Sequence, residues 1–140
     1  PATQARYLGE SLDWLDRQRR VTVAIWYGFR DAAGLSGDWQ SGLLYANGTR
    51  KPSWSWFQRP ISVNAASVRR GSSVRVYARS ALRPGAVRIA WSRDGRSWFL
   101  LPLAGRRGDG SMVQLVRLTR PTYFAAWDGT RGPARLVRVR

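Results

Sequence analysis

The sequence predicts a partial α/β segment followed by an all-β sandwich of about seven antiparallel strands. Two observations predict this division. Up to about residue 59 the chain alternates between helical and strand-like patterns, whereas beyond Arg59-Pro60 apolar residues recur with period two between turn signals. We therefore expect two domains, over residues 1–59 and 60–140.

The first segment opens with a helical pattern. Ala5, Leu8, Leu12 and Leu15 are spaced three or four residues apart, which places them on one face of a helix. The acidic residues come mostly ahead of a basic end, an order that suits the helix dipole. A helix over residues 2–19 is expected.

A strand, a loop and a second helix are expected to follow. Residues 21–27 are apolar on both alternating faces and rich in β-branched side chains, as in a strand that helices cover on both sides. A Gly- and Asp-rich loop over residues 28–42 leads to the Asn47-Gly48 turn. Pro52 then stands where the first turn of a helix accepts proline.

The second segment is predicted to form a series of short strands. Asp-Gly and Pro-Gly pairs separate them, and this is the chemistry of hairpin turns rather than of calcium loops. In the second run, Val74, Val76 and Ala78 are expected to face inward, with Arg75 and Arg79 outward. The candidate strands are residues 61–68, 73–79, 86–92, 97–103, 111–118, 122–127 and 134–140.

The composition excludes several kinds of function. There is no cysteine and no histidine, so disulfides, the usual zinc and copper sites and a Ser-His-Asp triad within the chain are excluded. We expect no cofactor and no metal. No run of eighteen apolar residues occurs, so no membrane span is expected.

The net charge of +16 comes from 23 arginines and one lysine against eight acids. A positive charge of this size is typical of proteins that bind nucleic acids. The arginines, however, are spread singly or in pairs along the chain, which favours a solvated basic surface. Binding of an anionic cell-wall polymer stays open as an alternative, and nucleic acid is disfavoured.

A series of motifs runs through the first segment in a fixed order. The series resembles the final part of the catalytic barrel in bacterial glycoside hydrolases of the cellulase-like and xylosidase-like superfamily. The resemblance covers residues 1–59 and implies the last β/α units of a TIM barrel. Its carriers are Gln4-Ala5-Arg6-Tyr7-Leu8, Val23-Ala24-Ile25-Trp26-Tyr27 with Arg30-Asp31, Gly42-Leu43-Leu44, Asn47-Gly48, and Lys51-Pro52-Ser53-Trp54 with Phe57.

The resemblance implies that the catalytic residues lie outside this chain. Both catalytic glutamates of such an enzyme would precede residue 1, and the only glutamate here, Glu10, lies on the predicted helix. Retaining glycosidases need two carboxylates about 5 Å apart. Asp31 and Asp38 are not expected to replace them, because so small a part of a barrel cannot preorganise a site. We expect no hydrolysis by this chain alone.

Four residues are candidates for binding a carbohydrate substrate. The resemblance implies that Trp26 is the eighth-strand aromatic on which a sugar stacks; a buried barrel residue is the alternative. Arg30 and Asp31 either bond sugar hydroxyls or pair with each other to brace the loop. Trp39 is either a rim platform for a more distant sugar or a lid over Trp26.

The second segment resembles the immunoglobulin-like modules appended to exported actinobacterial enzymes. The sequences 68–76, 92–98 and 136–139 are among its carriers. The resemblances together imply the C-terminal fragment of a secreted glycoside hydrolase, with its signal peptide upstream. Two alternatives stay open, a non-catalytic carbohydrate- or cell-wall-binding module and a basic polyanion-binding domain. If neighbouring barrel strands are missing, residues 21–27 are expected to be exposed.

Overall fold

The computed structural model describes residues 2–18, 20–21, 24–34 and 40–140, the side chain of Asp16 excepted. The chain divides into two compact units, Pro1–Phe57 and Gln58–Arg140. Its regular structure is mostly β, with two sheets in the second unit and two helices in the chain as described.

Both predicted helices of the first unit are present. Helix α1 spans Ala2–Asp16, and helix α2 spans Pro52–Gln58 with the proline at its first position. Ala5 and Leu8 on the predicted face of α1 are buried. The amphipathic spacing therefore identified the face of α1 that packs.

The apolar run at residues 21–27 does not form the predicted strand. Residues 21 and 24–27 belong to no strand, and Ile25 and Tyr27 are 85% and 83% exposed. A strand that is apolar on both faces needs neighbouring strands to pair with, and the described part of this unit contains no named strand. The strand prediction is wrong for these residues, and no barrel portion is confirmed; Ile25 and Tyr27 are exposed, whereas Trp26 is half-buried.

The second unit contains eight strands in two sheets. One sheet has the order β1-β3-β6, and the other has the order β2-β8-β7-β4-β5. The pair β2–β8 is parallel, and all other strand pairs are antiparallel. The strands are β1 (Ile61–Val63), β2 (Ser67–Val68), β3 (Ser73–Ala78), β4 (Arg88–Ser92), β5 (Phe99–Leu100), β6 (Met112–Arg117), β7 (Thr122–Trp127) and β8 (Arg131–Val139).

The predicted first strand, 61–68, is divided between the two sheets. Its first part pairs with β3 and its last part with β8. Between them, the side chain of Asn64 accepts a hydrogen bond from the Arg75 amide at 2.9 Å, which holds the start of the crossing. The two-sheet arrangement is compatible with the predicted sandwich, although the sheets do not close into a barrel.

The core lies between the sheets and contains the residues of β3 predicted to face inward, although the buried Tyr77 and the half-buried Arg75 depart from the predicted alternation. Val74, Val76 and Ala78 on β3 and Ile89 on β4 have no exposed surface. Arg79 is exposed, as expected for the outward face. Burial of these aliphatic side chains is the main stabilising contribution to this unit.

A buried ion pair ties the start of the second unit to the end of β7. Arg59 Nε donates to Asp128 Oδ1 at 2.8 Å, and Ser80 Oγ donates to Asp128 Oδ2 at 2.5 Å. The Ser80 hydroxyl in turn accepts the Arg83 amide at 3.0 Å. Burial opposes ionisation of Asp128, but the bonds from Ser80 and Arg59 outweigh it and hold its pKa below the ordinary value.

Candidate functional site

An open pocket of about 460 Å³ lies in the first unit. Its wall combines two aromatic rings with amide, hydroxyl and ammonium groups. A mixed lining of this kind suits a small polar ligand that also has apolar faces. The lining residues are Gln4, Trp26, Gln40, Ser41, Tyr45 and Lys51.

Of the predicted site residues that the structure describes, Trp26 lines this pocket. Its side chain is half-buried, and its indole Nε1 donates to the carbonyl oxygen of Ser41 at 3.1 Å. The bond satisfies the only polar atom of the ring and fixes its orientation. A ring that is held in place and partly open can present a face to a ligand.

A buried ion pair positions the lysine of the pocket. Lys51 Nζ lies 2.7 Å from Asp31 Oδ1 and 2.6 Å from the carbonyl oxygen of Gln40, and both charged side chains are almost fully buried. The Gly42 amide donates to the same Asp31 oxygen at 3.0 Å. Asp31 Oδ2 is buried and has no hydrogen-bond partner among the described residues. The ammonium group has a third proton to donate.

A second set of bonds joins helix α1 to the pocket. Gln4 Nε2 donates to the carbonyl oxygens of Ser41 and Gly42 at 2.9 and 3.2 Å. Its Oε1 accepts from Ser53 Oγ at 3.0 Å. Gln4 therefore holds the 41–42 backbone against α1 and α2. The hydrogen bonds of its side-chain amide are made within the protein and fix this position, so they do not serve to bind a ligand.

Gly42 is required by the close approach of two backbone segments. A Cβ atom there would lie 2.6 Å from both the Arg30 carbonyl carbon and the Asp31 nitrogen. Backbone atoms cannot yield as the end of a flexible side chain can. The glycine thus allows the carboxylate of Asp31 to reach the amide of residue 42.

The other predicted site residues occupy different positions. Arg30 is exposed and Asp31 is buried, and neither is among the described residues lining the pocket. Asp31 pairs with Lys51, which differs from both roles considered for it. Trp39, predicted as a rim platform or lid, lies outside the described residues, as does Asp38.

Sequence reasoning missed Tyr45 and the lysine of the pocket as site residues. The ring of Tyr45 has Lys51 Nζ 5.4 Å from its centroid, a cation–π distance. A signal existed, because Gln4, Gly42, Lys51 and Ser53 all belong to the quoted motif series.

The acids of the first unit do not form a catalytic pair among the described residues. Asp13 is buried on α1 beside Arg17 at 3.5 Å, and Asp31 is bonded to Lys51. Glu10 lies half-buried on α1. In the part of the chain that is described, no three metal-ligating side chains cluster and no helix is long and apolar enough to cross a membrane.

Two of the three tryptophans of the second unit, Trp91 and Trp98, are packed against arginines. The Arg131 guanidinium lies 4.7 Å from the ring centroid of Trp98, and that of Arg93 lies 5.2 Å from Trp91. Trp91 also contacts Phe99, with ring centroids 5.3 Å apart. These contacts favour packing over a free sugar-stacking face in this unit.

No model of a known protein family matches the chain, and no curated protein matches it.

Proposed function

We propose that this chain is part of a secreted glycoside hydrolase that cleaves O-glycosidic bonds in poly- or oligosaccharides. In this proposal residues 1–59 supply a carbohydrate-binding wall, and the catalytic glutamates lie outside the chain. The observation that carries it is the pocket of the first unit, in which Trp26 meets the hydrogen-bond network of the quoted motifs.

The convergence of these motifs supports the proposal. Gln4 and Ser53 stand 49 positions apart, yet they are bonded to each other, and Gln4 is also bonded to Gly42. Lys51 joins the same region through Asp31. Motifs that were recognised only by their order along the chain thus meet around one cavity.

The pocket offers the contacts that a neutral sugar needs. The open face of Trp26 can stack on the C–H face of a pyranose ring. The remaining Lys51 proton can be donated to a hydroxyl oxygen. Because Asp31 already balances the lysine charge, the pocket does not require an anionic ligand, and neutral glycans are its expected ligands.

A non-catalytic carbohydrate-binding module is the second candidate. The observation that favours it is the engagement of Asp13 and Asp31 in ion pairs, which leaves no described pair of carboxylates arranged for hydrolysis. Both candidates predict binding by this chain, and neither predicts cleavage by it alone. The two candidates differ in what they predict for a longer protein that joins the pocket to upstream sequence with glutamates. Only the hydrolase candidate predicts that such a protein cleaves glycosidic bonds.

The second unit, residues 58–140, is assigned in the same proposal to an immunoglobulin-like accessory domain. Its two facing sheets and the passage of residues 61–68 from one sheet to the other support this assignment. Its part in the enzyme would be to carry or attach the carbohydrate-binding unit rather than to bind the cleaved sugar.

Titration of the full chain with neutral oligosaccharides tests the proposal. Trp26→Ala is expected to weaken binding about five- to thirtyfold, because loss of an aromatic stack removes on the order of 1–2 kcal/mol. Trp14→Ala is the matched control, since Trp14 is 56% exposed on α1 and does not line this pocket. Calorimetry avoids the ambiguity of comparing fluorescence between tryptophan variants.

Three results would count against the proposal. One is the absence of binding to every neutral glycan in a diverse panel. Another is equal weakening by both tryptophan substitutions, which would place the sugar elsewhere. The third is turnover of an aryl glycoside by the purified chain, since the catalytic glutamates would then not be needed. Affinity for neutral glycans should also be insensitive to salt.

A further inference from the structure

The charge of the protein is concentrated in the second unit. Residues 58–140 contain 17 arginines and three aspartates, a net +14 of the total +16. A surplus of this size cannot be neutralised within the unit, and the repulsion between like charges opposes compactness. This excess of positive charge therefore favours the binding of an external anion.

Half of these arginines collect at one end of the sandwich. Four segments meet there, residues 69–72, 93–96, 117–120 and 138–140, and each contributes two arginines. All eight of these side chains are exposed. We name this surface the arginine end.

Hydrogen bonds hold the four segments together. The Arg70 amide donates to the Arg140 carbonyl oxygen at 3.0 Å, and the Gly71 amide donates to that of Leu118 at 2.7 Å. Arg93 Nη1 donates to the carbonyl oxygen of Arg120 at 3.1 Å. Backbone bonds thus join residues 69–72, 117–120 and 138–140, and the pairing of Ser92 with Tyr123 brings residues 93–96 to the same end.

The single acid of the arginine end is already engaged. Asp94 accepts hydrogen bonds from the amides of Arg96 and Ser97, both at 2.8 Å, and from the Ser92 hydroxyl at 2.9 Å. These bonds, the one from the Arg96 amide first, hold its pKa well below the ordinary value. The local surplus of the four segments is seven positive charges.

A groove of about 500 Å³ opens on the same surface. It is lined by Ser67, Val68, Arg69 and Arg140. Arg140 Nε donates to Ser67 Oγ at 2.8 Å, which holds one guanidinium along the wall. A guanidinium offers paired donors that match the oxygens of sulfate, phosphate and carboxylate groups.

We propose that the arginine end binds an acidic polysaccharide. Nucleic acid is less well matched, because no helix or two-stranded ribbon of the described unit projects there to enter a groove of the duplex. Two tryptophans lie beside these loops: Trp98 is bonded to Gly95 and covered by Arg131, and Trp91 lies between Arg93 and Phe99, so neither offers a free face to a base. A flexible polymer recognised by its charges fits this surface. The proposal does not depend on the pocket of the first unit.

Heparin serves as the probe, and the double variant Arg69→Gln/Arg70→Gln removes two charges from the arginine end. Neither guanidinium makes a side-chain hydrogen bond within the described chain, so folding should be kept. The matched control is Arg79→Gln/Arg106→Gln, two exposed arginines at the other end of the sandwich. Both variants have the same net charge.

The affinity of the full-length protein for a labelled heparin oligosaccharide is measured over a series of NaCl concentrations. The Arg69/Arg70 variant should lower the slope of log Kd against log salt by about two, one for each lost contact. The control variant should leave the slope unchanged. A charge-preserving Arg69→Lys/Arg70→Lys variant should keep the slope and bind more weakly, because paired donors are lost.

Two outcomes would overturn the proposal. Equal loss in the two glutamine variants would mean that binding follows net charge and has no site. A DNA duplex that binds more tightly than heparin, with the same dependence on Arg69 and Arg70, would make the partner a nucleic acid. Failure to bind neutral glycans, in contrast, would bear on the pocket of the first unit alone.

Discussion

Replacement of Asp128 with alanine is expected to destabilise the second unit by about 3 kcal/mol. The aspartate side chain is 1% exposed and its partner Arg59 is 15% exposed. Removing the carboxylate leaves a mostly buried guanidinium without a counter-charge and deprives the Ser80 hydroxyl of its acceptor. Loss of one partner from a buried pair costs about 3–5 kcal/mol, and the partial exposure of Arg59 favours the lower value.

Thermal unfolding of the full chain, followed by far-ultraviolet circular dichroism at neutral pH, measures this effect. For a unit of this size, 1 kcal/mol corresponds to about 4–8 °C in Tm, so a decrease of roughly 12–24 °C is expected. The double replacement Arg59→Met/Asp128→Leu should recover part of the loss, because an apolar pair of similar volume leaves no charge buried.

Two results would refute the reasoning about Asp128. A decrease below about 1 kcal/mol would mean that water replaces the carboxylate at no great cost. A double variant no more stable than the alanine variant would mean that the loss comes from packing and not from the unpaired charge of Arg59.

Two further predictions concern the pH dependence of stability that Asp128 causes and the close backbone approach at Gly42. The lowered pKa of Asp128 means that its stabilisation is complete above the unfolded value of about 4 and is lost as the pH falls through the lower folded value. The Tm should therefore decrease more steeply with falling pH for the native protein than for Asp128→Asn. Parallel curves of Tm against pH would contradict this. Gly42→Ala should cost about 1–3 kcal/mol in urea unfolding, because its Cβ would meet backbone atoms at 2.6 Å. Gly108→Ala, where the same atom would meet open space, is its control, and equal stability of the two variants would argue against the close approach.

The strands of the second unit could be predicted because their signals are local. Alternating apolar residues and Asp-Gly turns placed every predicted run over an observed strand, although the run at 97–103 is reduced to Phe99–Leu100. The division of residues 61–68 could not be predicted, because the choice between sheets depends on which strand lies alongside.

The first unit was predicted less well for a physical reason. A run that is apolar on both faces, such as residues 21–27, forms a strand only where other strands and helices pack against it. The run itself does not determine its conformation. Helix α1 carries its own apolar spacing and helix α2 begins at a proline, and both helices were found.

The candidate site was predicted in part. Trp26 was identified from its place in a motif, whereas the Lys51–Asp31 pair joins residues twenty positions apart that share no pattern. The arginine end was missed for the same reason. Pairs of arginines such as Arg69-Arg70 look dispersed in the sequence, and only the fold brings residue 70 to residue 140.

The parallel pairing of β2 with β8 determines how the second unit would carry mechanical load. The amides of Arg138 and Arg140 donate to Ala66 and Val68, and the amide of Arg70 donates to Arg140, each at 3.0 Å. These bonds lie across the direction of a pull between residues 58 and 140, so tension would shear them together instead of opening them one by one. The unit should therefore resist stretching between its two ends.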